Sequence, residues 1–285
     1  MHTGFLSYKK FRWLIVAIVL AIAAVVSYFQ IDSIEPKNGG TVYGYVMGSF
    51  SAFLILVFIG FGIRKRSYAS NFGSVQGWLS AHVYLGLALI VFASLHSGFQ
   101  LGLNIHTLTY FLVIAVVLTG IYGIVAYANY PTEITVNRQN MTRAQMLQEV
   151  AELDRLTLNL AAIVDQQIAA WVDSAVQGTR LGGSVWAQVR GVDYSIMDKR
   201  QNNGDQKRLT SLIAEQMAKS NDPKSITQLQ ELMQLVTTKK NWLSRLRRDI
   251  AMQARMDIWR YFHVPLSLAL LASLIAHVVS VFVYW

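Results

Sequence analysis

The sequence predicts an all-α membrane protein, with five transmembrane helices and a cytoplasmic helical hairpin inserted between the fourth and the fifth. Three observations carry this. Five long stretches contain no charge, one intervening segment holds most of the charge, and the basic residues of the short loops fall on one side. The 285 residues are 53% hydrophobic and 14% charged, with a mean hydropathy of +0.35. A soluble domain carries about a quarter charged residues.

The uncharged stretches are residues 13–29, 42–63, 78–99, 107–128 and 262–285, and none contains Asp, Glu, Lys or Arg. Each is near the roughly 20 apolar residues that a helix needs to cross a bilayer core. Five such helices are too many to bury in one globule of this length. Lys9, Lys10 and Arg12 precede the first span like the basic region of a signal peptide. The span, however, ends in the bulky Val25-Val26-Ser27-Tyr28-Phe29 rather than in a small-residue cleavage site, so it is expected to stay as an anchor.

Orientation follows from the loops. Lys9, Lys10 and Arg12 stand before the first span, and Arg64, Lys65 and Arg66 follow the second. The first loop holds Asp32, Glu35 and one Lys37, and the segment 97–106 has no Lys or Arg. The positive-inside rule then places the N-terminus and the insert in the cytoplasm and Trp285 outside. The membrane is expected to be a bacterial inner membrane. The expected domains are 1–129 (spans one to four), 130–260 (the insert) and 261–285 (span five).

The insert carries 18 of the 25 basic and 14 of the 16 acidic residues. Thr142-Arg143-Ala144-Gln145 has the pattern of a capping box. Met146, Val150, Leu153, Leu160 and Val164 then recur at helical spacing, predicting a helix to about Val176 with Gly178 as its stop. Residues 182–204 lack periodicity and include the turn signal Asn202-Asn203-Gly204. A short helix is expected over 206–219. Asp222-Pro223 opens another helix. Along it Leu229, Val236, Leu243 and Ile250 form a seven-residue stripe suited to one partner helix. The simplest partner is the Met146–Val164 segment running antiparallel; a coiled-coil or homo-oligomer contact through the insert is the alternative. A helix reaching Tyr261 would be about 58 Å long, and Pro265 is expected to disturb it at the membrane surface. The insert shows no phosphate loop, nucleotide fingerprint or catalytic cluster, so a structural or docking hairpin is expected. Its Arg245-Leu246-Arg247-Arg248 run reads as a solvated or headgroup-facing patch.

Cysteine is absent. That excludes disulfides, Cys-bound zinc, iron–sulfur clusters, thiol nucleophiles and covalent c-type haem. The net charge of +9 is no nucleic-acid signal here, since its short-loop share marks one face of the membrane. The chemistry falls to histidine. Span three contains His82 and His96, span five His263 and His277, and both pairs are 14 residues apart. Fourteen residues bring both members of a pair near one helix face and about 21 Å apart along the axis. Both spans run from cytoplasm to outside. His82 with His263 therefore forms an inner pair, and His96 with His277 an outer pair.

Two such bis-histidine sites, stacked across the bilayer, are what two noncovalent b-type haems require. Both axial positions are filled, so the centre carries electrons rather than binding oxygen or substrate. Ionisable groups inside membrane helices default to function. Gly86, one turn from His82, and Gly98, beyond His96, give a macrocycle room. Gly60, Gly62, Gly120 and Gly123 read as packing glycines. Arg64, Lys65, Arg66 and Arg260 are placed either to meet the propionates of an inner haem or to anchor the cytoplasmic face. His106 opens span four on the outer side and reads as interfacial, with a quinone contact as the alternative. His2 lies in the N-terminal tail.

His82 in Leu79-Ser80-Ala81-His82, His96 in Ser94-Leu95-His96-Ser97-Gly98, His263 in Phe262-His263-Val264-Pro265 and His277 in Ala276-His277-Val278-Val279 together resemble the di-haem b-type membrane cytochromes. In particular they resemble the cytochrome b561 and ferric-reductase-like transmembrane families. The resemblance covers the membrane part only, and it implies histidine ligands paired on two helices that flank a third. Those reductases append a flavin and nicotinamide domain, and nothing of that kind is recognisable here. The insert is also foreign to the family. Both departures imply an electron-transfer subunit of a membrane oxidoreductase rather than a complete enzyme. Its partners would be redox subunits such as cytochromes or iron–sulfur proteins, membrane lipid and, as a second option, quinone. Two other functions fit less of the sequence. A membrane sensor or assembly protein would use the insert and leave the paired histidines unexplained. A copper or zinc transporter would need carboxylates or Met clusters, which the spans do not hold.

Overall fold

A computed structural model describes residues 4–30, 38–66, 73–198 and 200–283, with the side chain of Arg66 excluded. Asp32, Glu35 and Lys37 of the first loop, and His2, lie outside the described residues. The chain is 83% helical and all-α. After a 3-10 turn at Phe5–Ser7 come α1 (Arg12–Gln30), α2 (Val42–Arg66), α3 (Val75–Ser97), α4 (Ile105–Arg138), α5 (Arg143–Val164), α6 (Gln166–Gln177) and α7 (Val185–Arg190). A minimal antiparallel hairpin, β1 (Ile196–Met197) with β2 (Gln201–Asn202), precedes a second 3-10 turn, α8 (Lys207–Lys219) and α9 (Pro223–Val283). Five helices are long and apolar enough to cross a membrane. The chain divides into two compact units, Met1–Ala128 with Trp259–Trp285, and Asn129–Ile258.

In the first unit α3 is the central helix. Its Leu85, Ala88, Leu89, Phe92 and Ala93 are buried, and they cluster with Ala17 and Ala24 of α1, Leu54 and Ile55 of α2, Val113 and Val117 of α4, and Leu270 and Leu274 of α9. The outer faces are equally apolar. Ile15, Val19, Phe53, Leu56, Leu118, Val125, Leu268 and Val279 are all exposed. An apolar surface this extensive is unfavourable in water and matched to hydrocarbon. In hydrocarbon, polar contacts and close packing hold helices together. Tyr43 donates to the Ala24 carbonyl at 2.6 Å, and Tyr84 to the Leu6 carbonyl at 2.9 Å. Ser94 donates to Ile90 and accepts from Tyr110 at 3.0 Å, which ties α3 to α4. Thr109 and Ser273 share a buried 2.6 Å hydrogen bond between α4 and α9.

The expectation that Pro265 disturbs the last helix is corrected. Helix α9 stays helical through Pro265, and α4 runs through Pro131 to Arg138. Each proline removes one backbone donor, the one that would otherwise bond the carbonyl of Tyr261 or Tyr127, and the rest of the helical ladder continues past it. Ser267 donates to the His263 carbonyl at 2.7 Å, Thr135 donates to the Pro131 carbonyl at 2.9 Å, and both prolines are exposed.

In the second unit the capping box of Thr142 and Gln145 is complete, with both reciprocal hydrogen bonds present. Met146 and Val150 at the start of α5 pack on Leu243 and Leu246 of α9. Ala161 near its end joins the cluster of Leu229, Leu232 and Val236. The two helices therefore run antiparallel, and Leu229, Val236 and Leu243 of the stripe are buried within the unit, while Ile250 is partly exposed. The expected helix to Val176 is broken at Asp165. Its backbone is extended there, and its carboxylate takes the N–H groups of Gln167 and Ile168 as the N-cap of α6. The turn expected at Asn202-Asn203-Gly204 follows directly on β2, with Asn202 Oδ1 accepting from the Gly204 N–H at 2.7 Å. Asn203 is fully buried, and its side chain accepts from the Leu209 N–H.

Candidate functional site

The four histidines belong to the first unit, two on α3 and two on α9. His82 lies beside His263 with ring centroids 6.4 Å apart, and His96 lies beside His277 at 5.8 Å. Early residue meets early residue and late meets late, so the two helices run in the same direction. Two imidazoles bound trans on one metal, at about 2.0–2.1 Å each, set their centroids about 6.3 Å apart. Both pairs stand at about that separation.

A histidine that ligates through Nε2 hands its Nδ1–H to a protein acceptor, which fixes the tautomer. His96 Nδ1 is 2.7 Å from the carbonyl oxygen of Gly44 on α2. That carbonyl is reachable because Gly48 lies one turn on. A Cβ built at Gly48 would stand 2.6 Å from His96 Cε1. Gly39 is also close, with its Cβ position 3.3 Å from the same atom.

His263 Nδ1 is 3.0 Å from Thr119 Oγ1. The Thr119 hydroxyl donates to the Val116 carbonyl at 2.8 Å. Its proton is thus committed, and His263 must be the donor in the bond they share. The proton of His263 then sits on Nδ1, and Nε2 is left with its lone pair. The ring is stacked on Trp259, at 5.0 Å and 21°, and the Trp259 indole donates to the Thr119 carbonyl at 2.7 Å. His277 Nδ1 is 2.6 Å from His106 Nδ1. His82 sits against Phe58 and Phe61, and its buried Nδ1 has no hydrogen-bond partner.

The donor set fits a bis-histidine haem at each depth. Three of the four rings have Nδ1 engaged by protein, and the paired centroids stand 6.4 and 5.8 Å apart. Among the described residues, no group of three or more His, Cys, Asp or Glu is placed to hold a metal ion.

The other expected site residues fall as follows. A Cβ on Gly86 would meet only Phe58, at 4.0 Å, so the backbone there has room beside His82. Gly98 serves instead as the left-handed C-cap of α3, at φ 57°. Of the glycines read as packing, Gly120 lies 3.5 Å (from its Cβ position) from His263 Cε1, and Gly123 is covered by the Trp259 indole. A Cβ on Gly60 or Gly62 would meet nothing within 4 Å. Arg64 donates to the Gly73 carbonyl at 2.8 Å. Lys65 and Arg260 are exposed, and the side chain of Arg66 lies outside the described residues. Gly44, Gly48, Thr119, Trp259 and His106 were not read from the sequence as contacts of the histidine pairs. The Gly44-x-x-x-Gly48 spacing, a small-residue helix-packing pattern, was the available signal for two of them.

No family model, curated protein or solved structure matches the chain.

Proposed function

We propose that this chain is a transmembrane electron conduit that holds two b-type haems. His82 and His263 ligate one, and His96 and His277 the other. The observation that carries this is the pairing of four histidines at two depths, with ring separations of 6.4 and 5.8 Å. When bound, each haem supplies a one-electron carrier inside the hydrocarbon. Two histidines would hold each haem, and the chemistry it would supply is electron transfer rather than substrate binding. Thr119 and Gly44 fix the tautomers of His263 and His96. Phe58, Phe61 and Trp259 exclude water around the inner pair. Gly86 leaves room beside His82.

In this proposal five helices span a membrane, expected to be a bacterial inner membrane. The basic residues Lys9, Lys10, Arg12, Arg64, Lys65 and Arg66 set the cytoplasmic face. The inner pair then lies toward the cytoplasm and the outer pair toward the opposite side. Arg64, Lys65, Arg66 and Arg260 are the residues proposed to meet the propionates of an inner haem, or to anchor the cytoplasmic face. Electrons pass to and from redox subunits or quinone. The resemblance of the four histidine motifs to the di-haem b-type cytochromes supports the same proposal, and the helical unit 129–258 is proposed as a docking element.

The test places the purified chain in sealed vesicles with a trapped, impermeant electron acceptor and adds an impermeant reductant outside. Reduction of the trapped acceptor is expected, and it should be lost in His82→Ala and His277→Ala. A rate no faster than that of empty vesicles would overturn the proposal.

A further inference from the structure

The most specific contact at the outer pair comes from a residue that the sequence left unpaired. His106 Nδ1 and His277 Nδ1 stand 2.6 Å apart, with the rings edge-on at 85° and centroids 4.5 Å apart. Two facing ring nitrogens share one proton. If His106 donated it, the proton of neutral His277 would sit on Nε2 and close that atom to a metal. If His277 donates, its Nε2 is free. Given the haem reading above, on which this rests, the direction of the bond is set.

We propose that His106 is a positioning residue for the outer haem. Its unprotonated Nδ1 accepts the Nδ1–H of His277 and holds that ring in the ligating tautomer and orientation. Two further contacts hold His106 in place. Asn104 caps the start of α4 by accepting from the Thr107 N–H at 2.9 Å. Thr109, one turn beyond His106, is bonded to Ser273, one turn before His277, at 2.6 Å. The two helices are thereby clamped at the level of the two rings. The outer pair then has both Nδ1 atoms engaged, His96 by a backbone carbonyl and His277 by a side chain that substitution can remove.

An acceptor on Nδ1 makes an imidazole a more basic ligand, and a more basic ligand favours ferric over ferrous iron. Removing it raises the midpoint potential of that centre alone. The experiment is an optical redox titration of the full-length chain in detergent, comparing wild type, His106→Ala and His106→Asn. We expect two haems per chain in all three proteins. In His106→Ala one potential rises while the other is unchanged; a tenfold change in the ferric-to-ferrous preference corresponds to about 59 mV. Asn, whose carbonyl can accept in place of Nδ1, restores the wild-type value. Loss of the outer haem in His106→Ala with recovery in His106→Asn supports the proposal equally. If wild type carries two haems and His106→Ala leaves both potentials unchanged, the positioning role is overturned and the haem reading stands. An Ala effect that Asn does not restore assigns the change to packing and also overturns the role. A wild-type chain without haem overturns the haem reading, and this role with it.

Discussion

His96 Nδ1 and the Gly44 carbonyl oxygen stand 2.7 Å apart across two helices, and the missing side chain of Gly48 is what lets the ring reach that carbonyl. A Cβ at position 48 would lie 2.6 Å from His96 Cε1, so the ring would have to swing away. Gly48→Ala is therefore expected to weaken the outer haem about 10–100-fold, the usual scale for disrupting a ligand's support. The inner haem should be retained. Haem per chain after purification should fall from near two toward one. A value unchanged at two would show that the Gly48 contact does not support ligation.

Thr119 gives the inner pair its own test. Its hydroxyl accepts from His263 Nδ1 at 3.0 Å while donating to Val116. Thr119→Val keeps the volume and removes the acceptor. Roughly tenfold weaker binding of the inner haem is expected, together with a shift in its absorption bands. Haem titration into the apoprotein, followed optically, measures both. Identical affinity and spectrum would contradict the assigned tautomer.

Asp249 tests the helical unit. It is fully buried between Arg138 and Arg143, whose guanidinium nitrogens approach at 2.6 and 2.7 Å. Burial acts to raise its carboxyl pKa, but the hydrogen bonds from Arg138 and Arg143 outweigh burial and hold it below the usual carboxylate range. A folded value below the unfolded one stabilises the fold at pH above the unfolded carboxylate pKa of about 3.9, and that gain is lost as pH falls through the folded value. Unfolding of the unit, followed by circular dichroism in denaturant, should be insensitive to this group near neutral pH and easier in acid. Asp249→Ala leaves two partly exposed arginines facing each other, at a cost of about 3 kcal/mol, the low end for a broken buried pair. An unchanged denaturation midpoint would contradict this account of the cluster.

The histidine pairs were legible because a charge-free helix makes each ionisable residue conspicuous and because a spacing of 14 maps directly onto depth. Their partners were not. Gly48 is one of 19 glycines, and glycine is common in membrane helices for reasons unrelated to ligands. His106 shared a depth with His277, but depth does not say which way a ring faces, so it read as a surface residue. In the helical unit the antiparallel pairing of α5 and α9 followed from periodicity. The break at Asp165 did not, because Val164, Ile168, Val172 and Ala175 keep helical spacing across it and only the capping bonds of Asp165 mark the end. Pro265 misled because it removes a single donor, the one to the Tyr261 carbonyl, from an exposed position of a 61-residue helix whose other bonds continue through it.

The most direct measurement of the central claim is haem content per chain, with an optical spectrum, for wild type, His82→Ala and His277→Ala. The account predicts a reduced b-type spectrum and two haems in wild type. Each variant should keep one haem, with the inner site lost in the first and the outer site in the second. A folded wild-type chain without haem, or both variants retaining two, would contradict it.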